Sequence, residues 1–388
     1  MNVLFFVRDI HAISVTFIRR QIQLVSQHHE VLVVTIDHGS DYEVDGFRCK
    51  GIPFQDSYWT NKPFRRLKEW DLYFGSFNPK FGKKLQEVVS QFKPDVIHCQ
   101  FGVDALIFLD HFPNPQKIPV FIQFRGYDAS TLYSKKSYKR RLRSWFSKSW
   151  IHPIYVSLNQ YNRAVKENLI PDKKRILYSC TDTDFFSFSP KEKSQERGLF
   201  RFLQVGRMVE IKGHSYSLQA FKLASNRLHQ EGIKSELVFA GDGPLQERLK
   251  KECKELEIDD LVKFLGNQTP VEIRYLLKGA DGLLHPSTTT TDGAIEGMPN
   301  AIMESLSVGI PVIATEHSGI EELMCPEGGL FLFPERDVEK YAQVMVDLAL
   351  GKLAFDPQSG RDHIVERFSA QQHIRQLLEF YGEELGLK

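Results

Sequence analysis

Cysteine is scarce: five residues in 388, Cys49, Cys99, Cys180, Cys253 and Cys325, an odd number scattered singly. That spacing excludes a disulfide-stapled scaffold and a zinc ligand set, and it points to a reducing, cytoplasmic compartment. Long apolar runs are missing too, and no stretch approaches the roughly 20 residues of a membrane span. Met1 to Val7 is apolar, but Arg8 and Asp9 end it at once, so it reads as a first β-strand and not as a signal peptide. Charge of either sign is in little excess: the net value is +1. Nucleic acid is therefore not an expected partner, and any electrostatic function must be local. Glycine is absent from the loop Arg8 to Val15, between the first expected strand and the first expected helix. A dinucleotide-binding turn needs glycines there for close pyrophosphate approach, so an oxidoreductase is disfavoured at its own diagnostic position. No internal repeat of about 20–50 residues is visible.

What is present belongs to a globular α/β protein, with 42% hydrophobic and 26% charged residues. The length suits two domains. In the first half, Asn2 to Val7, Glu30 to Ile36, Pro94 to Gln100, Pro119 to Arg125, His152 to Leu158 and Arg175 to Cys180 read as strands, and Ser14 to Gln27 as a helix. Several strands end in polar residues, His98 and Gln100 in one, Gln123 and Arg125 in another, with Gly126, Tyr127 and Asp128 following directly. Such clustering at strand ends predicts one wall of a cleft, with solvated loop residues as the plainer alternative. Thr181 to Gly198 reads as a linker.

Lys135 to Trp150 differs in kind. Leu142, Trp145, Phe146 and Trp150 fall at helical spacing, and basic residues including Arg140 and Arg141 occupy other faces. The composition is that of a helix on an anionic membrane surface, with Arg140, Arg141, Trp145 and Trp150 as contact candidates. An ordinary amphipathic helix with its aromatics inward fits the same pattern. The basic, aromatic segment Lys62 to Trp70 favours the membrane.

The second half carries the chemistry. Phe202 to Val205 reads as a strand, followed by the loop Gly206 to Gly213 and a helix. The loop sets Arg207 and Lys212 between two glycines beside a helix N-terminus, an arrangement suited to a diphosphate. Glu236 to Ala240 leads into Gly241, Asp242, Gly243 and Pro244, where the glycines would let the backbone approach a bulky ligand. Val262 to Leu265 ends at Gly266 and Asn267. Gly282 to His285 leads into the long loop Pro286 to Met298, and a helix is predicted from about Pro299, whose fixed φ and missing N–H suit a first helical position. The free amides and positive dipole end of that helix favour an anion in the loop. Glu296 lies at the loop mouth and Glu304 inside the helix.

Four segments in order, Gly-Arg-Met-Val-Glu-Ile-Lys-Gly from Gly206, Ala-Gly-Asp-Gly-Pro from Ala240, Phe-Leu-Gly from Phe264 and Glu-Gly-Met-Pro-Asn-Ala-Ile-Met-Glu from Glu296, resemble the family 4 retaining glycosyltransferases. Val-Thr-Phe-Ile-Arg-Arg-Gln-Ile, Asp-Val-Ile-His and Arg-Gly-Tyr-Asp in the first half, with Thr-Glu-His-Ser-Gly-Ile later, resemble the branch that builds bacterial exopolysaccharide and lipopolysaccharide. The resemblance implies the GT-B fold, two Rossmann-like parallel-sheet domains facing across a cleft. Residues 1–180 would bind acceptor, 181–199 would link, 200–365 would bind a nucleotide sugar, and a final helix over 366–388 would cross back to the first domain.

By the same resemblance, Arg207 and Lys212 would hold the donor diphosphate and stabilise the departing charge. Glu304 would accept from ribose hydroxyls, and Glu296 would contact the donor sugar. Gly206, Gly241, Asp242, Gly243 and Asn267 would shape the donor site, and the backbone of Gly297, Met298, Pro299 and Asn300 would add amides to it. His98, Arg125 and Asp128 would lie on the acceptor side. No metal and no cofactor is expected. The implied partners are a UDP- or GDP-sugar, a glycan or lipid-linked glycan acceptor, and an anionic membrane touched peripherally. The chain departs from the family where Arg125 replaces a histidine, since arginine donates hydrogen bonds but cannot act as a base. It departs again where Ser179 and Cys180 replace Asn-Gly. Two rival readings of these residues are a non-catalytic nucleotide-sugar or glycan-binding protein and a glycoside hydrolase using Glu296 and Glu304.

Overall fold

The structure is a computed structural model that describes residues 1–11, 16–37, 39–54, 78–169, 173–189 and 198–387. The Lys62 to Trp70 segment, the expected helix start at Ser14 and part of the expected linker, 190–197, lie outside the described residues. The chain divides into two compact units, Met1–Tyr178 with Ile374–Lys388, and Ser179–His373.

The first unit runs β1 (Asn2–Phe6), α1 (Thr16–Ser26), β2 (Glu30–Ile36), β3 (Asp41–Val44), β4 (Phe47–Ile52), α2 (Pro79–Phe92), β5 (Val96–Cys99), α3 (Gly102–His111), β6 (Val120–Phe124), α4 (Lys136–Phe146), β7 (Ile151–Tyr155) and α5 (Leu158–Lys166). Among the described residues its strands form one sheet in the order β3-β4-β2-β1-β5-β6-β7. All pairs are parallel except β3 with β4. Strands covered on both faces read as nearly continuous apolar runs, as β1, β5 and β6 do. Helix α2 shows how local signals set the elements. The Asn78 side chain accepts from the amides of Lys80 and Phe81, Pro79 opens the helix, and Phe81, Leu85, Val88 and Val89 make its buried face.

The second unit runs β8 (Leu199–Val205), α6 (His214–Gln230), β9 (Lys234–Ala240), α7 (Gln246–Glu255), β10 (Val262–Phe264), α8 (Pro270–Gly279), β11 (Gly282–His285), α9 (Asn300–Val308), β12 (Val312–Thr315), β13 (Leu330–Phe333), α10 (Val338–Ala349) and α11 (Pro357–Phe368). Its described strands form a parallel sheet in the order β10-β9-β8-β11-β12-β13. This is the doubly wound arrangement, with the winding reversed between β8 and β11. A last helix, α12 (Ala370–Leu385), follows. Each sheet has its own core, one around Phe6, Ile97, Phe108 and Phe124, the other around Phe202, Phe221, Phe239 and Tyr341.

Two expectations differ from the structure. Arg175 to Cys180 is not a strand: Ile176 makes a single bridge to Tyr155, and the segment then runs on without a ladder. Within the expected linker, Thr181 to Ser189 is packed: Phe186 is buried and the carbonyls of Thr183 and Phe186 accept from Arg361. The expected helix Phe368 to Leu385 is preceded by α11 and begins only after Ser369, whose carbonyl accepts from the His373 amide.

Candidate functional site

In a doubly wound sheet the ligand crevice opens where the winding reverses, at the carboxyl ends of the two strands concerned. In the second unit these are β8 and β11. The loop after β8 brings Lys212 there, and the loop after β11 brings Glu296. The Lys212 Nζ and a Glu296 carboxylate oxygen stand 2.8 Å apart, with side chains 20% and 11% exposed. Two residues far apart in sequence thus meet at the point where topology favours binding. The Lys212 carbonyl also accepts from Gln204 Nε2 at 2.8 Å, which ties the loop to its strand.

Beneath Lys212 lie two buried imidazoles. His214 is pushed down to about 3 by burial and then by the Lys212 charge, and burial with the same charge takes His285 well below its ordinary value. Both are neutral at physiological pH, so the positive charge here is that of Lys212 and the exposed Arg207. Helix α6 starts after Gly213 and α9 after Pro299, and neither is capped by a side chain; α7, after β9, is uncapped as well. The outer helices α8 and α10 carry the Thr269 and Asp337 caps. Uncapped amides and cations therefore gather at one stretch of sheet edge, a site suited to an anion. Glu304, in the second turn of α9, lies deep among protein atoms though part of its surface is open. Burial lifts its carboxyl to about 7.

Two family models match in succession. "Glycosyl transferases group 1" covers residues 186–352, and "Glycosyltransferase Family 4" covers residues 17–185. The chain belongs to the family 4 glycosyltransferases. It is 31% identical over 208 residues to a putative colanic acid biosynthesis glycosyltransferase, WcaL, of Escherichia coli, covering 53% of this chain and 50% of that one. It is 35% identical over 181 residues to the amylovoran biosynthesis glycosyltransferase AmsK of Erwinia amylovora, covering 46% and 44%. The glycosyltransferase spans about half the length of the curated relatives it matches. Among solved structures, Anabaena Alr3699/HepE in complex with UDP superposes with a TM-score of 0.72 at 16% identity, covering 99% of this chain and 100% of that one. The fold is GT-B, two parallel-sheet α/β domains.

The glycosyltransferase places its other expected donor residues at the same edge of the second unit. Asp242 and Asn267 are exposed at the ends of β9 and β10, and Ile295, Gly297, Met298 and Pro299 are buried around Glu296. Gly241 and Gly243 also pack against neighbouring backbone. A Cβ at Gly241 would lie 2.1 Å from the Gly206 carbonyl oxygen, and one at Gly243 would lie 2.5 Å from that of Met208. The missing side chains make room for the neighbouring loop, which is itself part of the site.

The acceptor-side expectations are corrected in two of three cases. His98 is fully buried: its Nδ1 meets the Tyr381 hydroxyl at 2.6 Å and its Nε2 meets Gln123 Oε1 at 3.1 Å. Asp128 is 1% exposed, and its carboxylate accepts from the amides of Gly102, Arg125 and Gly126. It fastens the start of α3 to the β6 loop, a structural task. Arg125 remains partly open, its Nη2 shared among the Oε1 atoms of Gln21, Gln100 and Gln123 and its guanidinium 4.7 Å from the centre of the Phe17 ring. On α4, Trp145 and the following Trp150 are half-buried against the first core, Arg141 pairs with Asp110, and Arg140 is exposed. The tryptophans thus pack partly on the core while still lining, with Arg141 and Lys148, a cavity open to the surface.

A further cluster, outside the expected site residues, lies beside Glu296. His317 Nε2 accepts the Glu296 amide at 3.0 Å, His317 Nδ1 meets Glu335 Oε1 at 2.5 Å, and the Ser318 hydroxyl donates to the Glu296 carbonyl at 2.7 Å. His317 follows β12 and Glu335 follows β13. Polar residues just past two adjacent strand ends were the available signal.

Proposed function

We propose that this glycosyltransferase moves a sugar from a UDP- or GDP-sugar to a glycan, lipid-linked and destined for cell-surface polysaccharide, with retention at the anomeric carbon and without a metal. The observation that carries the reading is the Lys212–Glu296 pair at the winding reversal, beside the uncapped start of α9. The relatives assigned to colanic acid and amylovoran biosynthesis, and the structural neighbour bound to UDP, support the donor and product classes. A diphosphate seated between Arg207, Lys212 and the α9 amides has its leaving charge met by groups already in place. Lys212 can then serve both the diphosphate and Glu296, which holds the Glu296 carboxylate toward the sugar carbon as positive charge develops there. Glu304 accepts from the ribose hydroxyls. Arg125, in the first unit, donates to the acceptor. Among the described residues no helix is long and apolar enough to cross a membrane; peripheral contact through the basic face of α4 at the cytoplasmic leaflet completes the proposal.

Thermal melting in the presence of UDP, GDP, ADP or CMP, with EDTA, tests the donor site. A ligand at about 100 times its dissociation constant adds roughly 2.7 kcal/mol. One nucleoside diphosphate is expected to stabilise the native protein and to lose the effect in Glu304→Ala. Stabilisation by none would overturn the assignment. Donor binding without turnover in the presence of a verified acceptor would instead favour a binding protein. Unchanged flotation with anionic liposomes after neutralising Arg140, Lys136 and Arg143 would remove the membrane contact.

A further inference from the structure

The loop that carries Glu296 is held from outside by two neighbouring strand ends. Its start is fastened by Glu335, whose carboxylate accepts from the Thr289 amide at 2.9 Å and from the hydroxyls of Thr288 and Thr289 at 3.1 Å each. Arg336 donates to the Thr289 carbonyl at 2.6 Å. Its end is fastened by His317 and Ser318, which take the amide and the carbonyl of Glu296 itself. Glu335 joins the two fastenings, because the same carboxylate meets His317 Nδ1. Ser318 sits at φ 49, a left-handed conformation costing a non-glycine residue about 1 kcal/mol. Strain of this kind persists only where the surroundings enforce it.

The direction of each bond fixes the proton. A backbone N–H can only donate, so His317 Nε2 must present its lone pair to Glu296. The ring hydrogen is then on Nδ1 and points at Glu335. An imidazolium, or the opposite tautomer, would set N–H against N–H. With its side chain 1% exposed, His317 has no solvent-facing alternative.

We propose that His317 and Glu335 are positioning residues for the donor site, a carboxylate–imidazole relay that locks the tautomer of His317 and through it the backbone of Glu296. This rests on the reading of Glu296 as the donor-sugar contact given above. The relay acts on Glu296 and on the loop start; it makes no direct bond to Arg207, Lys212 or Glu304, and Lys212, though paired with Glu296, keeps its own tie to Gln204. Its loss should therefore slow the chemical step while nucleotide binding persists. Misplacing a reacting group by about 1 Å costs on the order of 100-fold in rate.

Two measurements on the full chain test it. The first needs no activity: nitrogen-15 spectra of histidine-labelled protein near pH 7.5, with the His317 signal assigned by its loss in His317→Gln. A neutral ring protonated on Nδ1, shifting toward the other tautomer in Glu335→Gln, is expected. An Nε2-protonated ring or an imidazolium overturns the relay. The second follows slow transfer to water from UDP-glucose, UDP-galactose and GDP-mannose, together with UDP and GDP binding. His317→Ala should lose about 100-fold in kcat, with nucleotide Kd within threefold of native. His317→Gln, whose side-chain oxygen can still accept the Glu296 amide, should recover at least tenfold of that loss. A kcat within threefold of native, or nucleotide affinity falling as far as kcat, overturns the positioning role. If His317→Ala fails to fold, Glu335→Gln and His317→Gln carry the same comparison. Native protein that turns over no donor overturns the transferase reading, while the tautomer spectrum decides the relay separately.

Discussion

Glu304 makes the proposal testable through its charge. Burial holds its carboxyl at about 7 against the ordinary 4.5. The folded protein thus binds this proton more tightly than the unfolded chain does. Stability from this residue is full below about 4.5, falls as pH rises through the window to about 7, and stays reduced above it. At pH 8 the burden is about 2 kcal/mol once the water that still reaches the group is allowed for. Glu304→Gln should therefore melt a few degrees higher than native at pH 8 and no higher at pH 4.5, as calorimetry at the two pH values would show. The same residue should make nucleotide binding depend on pH. Ribose hydroxyls donate to the ionised carboxylate, so binding releases a proton, and UDP or GDP affinity should rise as pH increases through 7. Isothermal titration at pH 6 and 8 should find that rise in the native protein and not in Glu304→Gln. A variant that binds as well as native would remove Glu304 from the site. Lys212→Met is expected to behave oppositely in stability, since it leaves the Glu296 carboxylate, 11% exposed, without its 2.8 Å partner.

At the scale of elements, the site depends on how closely the loops after β8 and β11 can approach. Gly213 stands at φ 65, and a Cβ there would lie 1.9 Å from the Pro286 carbonyl oxygen, at the start of the β11 loop. Gly232 has a similar φ of 76 with nothing within 4 Å. Gly232→Ala should then cost only the left-handed strain, about 1 kcal/mol. Gly213→Ala should cost about 3 kcal/mol or more, because backbone and not a flexible side chain must move. Urea midpoints would compare them, and Gly213→Ala should also weaken nucleotide binding, since the displaced loop carries Lys212. The contrast shows what a sequence can tell. Pro299, the apolar run Gly282 to His285 and the glycines around Lys212 announced strand, loop and helix from local chemistry, and those elements stand. The meeting of Lys212 with Glu296 follows from β8 lying beside β11, which no local pattern reports. His98 and Asp128 were misread for a related reason: a polar residue just past a strand looks the same in sequence whether it faces solvent, bonds Tyr381 or caps α3. The bond between His317 and Glu335 requires β12 beside β13, which the segment around His317 does not report.

At the scale of the whole molecule, the first unit is closed by the end of the chain. Residues from Ile374 onward belong with Met1–Tyr178, and the apolar part of that attachment is Tyr381, fully buried with its ring 4.9 Å from Phe121. The polar part is Glu384. Its carboxylate takes Lys173 Nζ at 2.7 Å, lies 3.5 Å from His152 Nε2, and pairs with Arg175, whose side chain is 4% exposed. Burial raises the Glu384 carboxyl, but the Lys173 hydrogen bond and the charges of His152, Arg175 and Lys173 outweigh it and hold the group below its ordinary value. A depressed carboxyl contributes stability above its unfolded value and loses it as pH falls through the folded one. Removing the charge also leaves Arg175 with only the more distant Glu383 carboxylate, and breaking a buried ion pair costs about 3 kcal/mol. Glu384→Gln should therefore lower the urea midpoint substantially at pH 7.5, with the deficit narrowing as pH is lowered below about 4.5. Neighbouring Glu383 is 55% exposed and 3.9 Å from Arg175. Its glutamine variant should cost less than about 0.5 kcal/mol. Hydrogen exchange localises the effect: in Glu384→Gln the amides of α12 after Ile374 should exchange faster, while those of β8, β11 and α9 keep native protection. Equal loss of protection in both units would mean that Glu384 stabilises the molecule as one cooperative body.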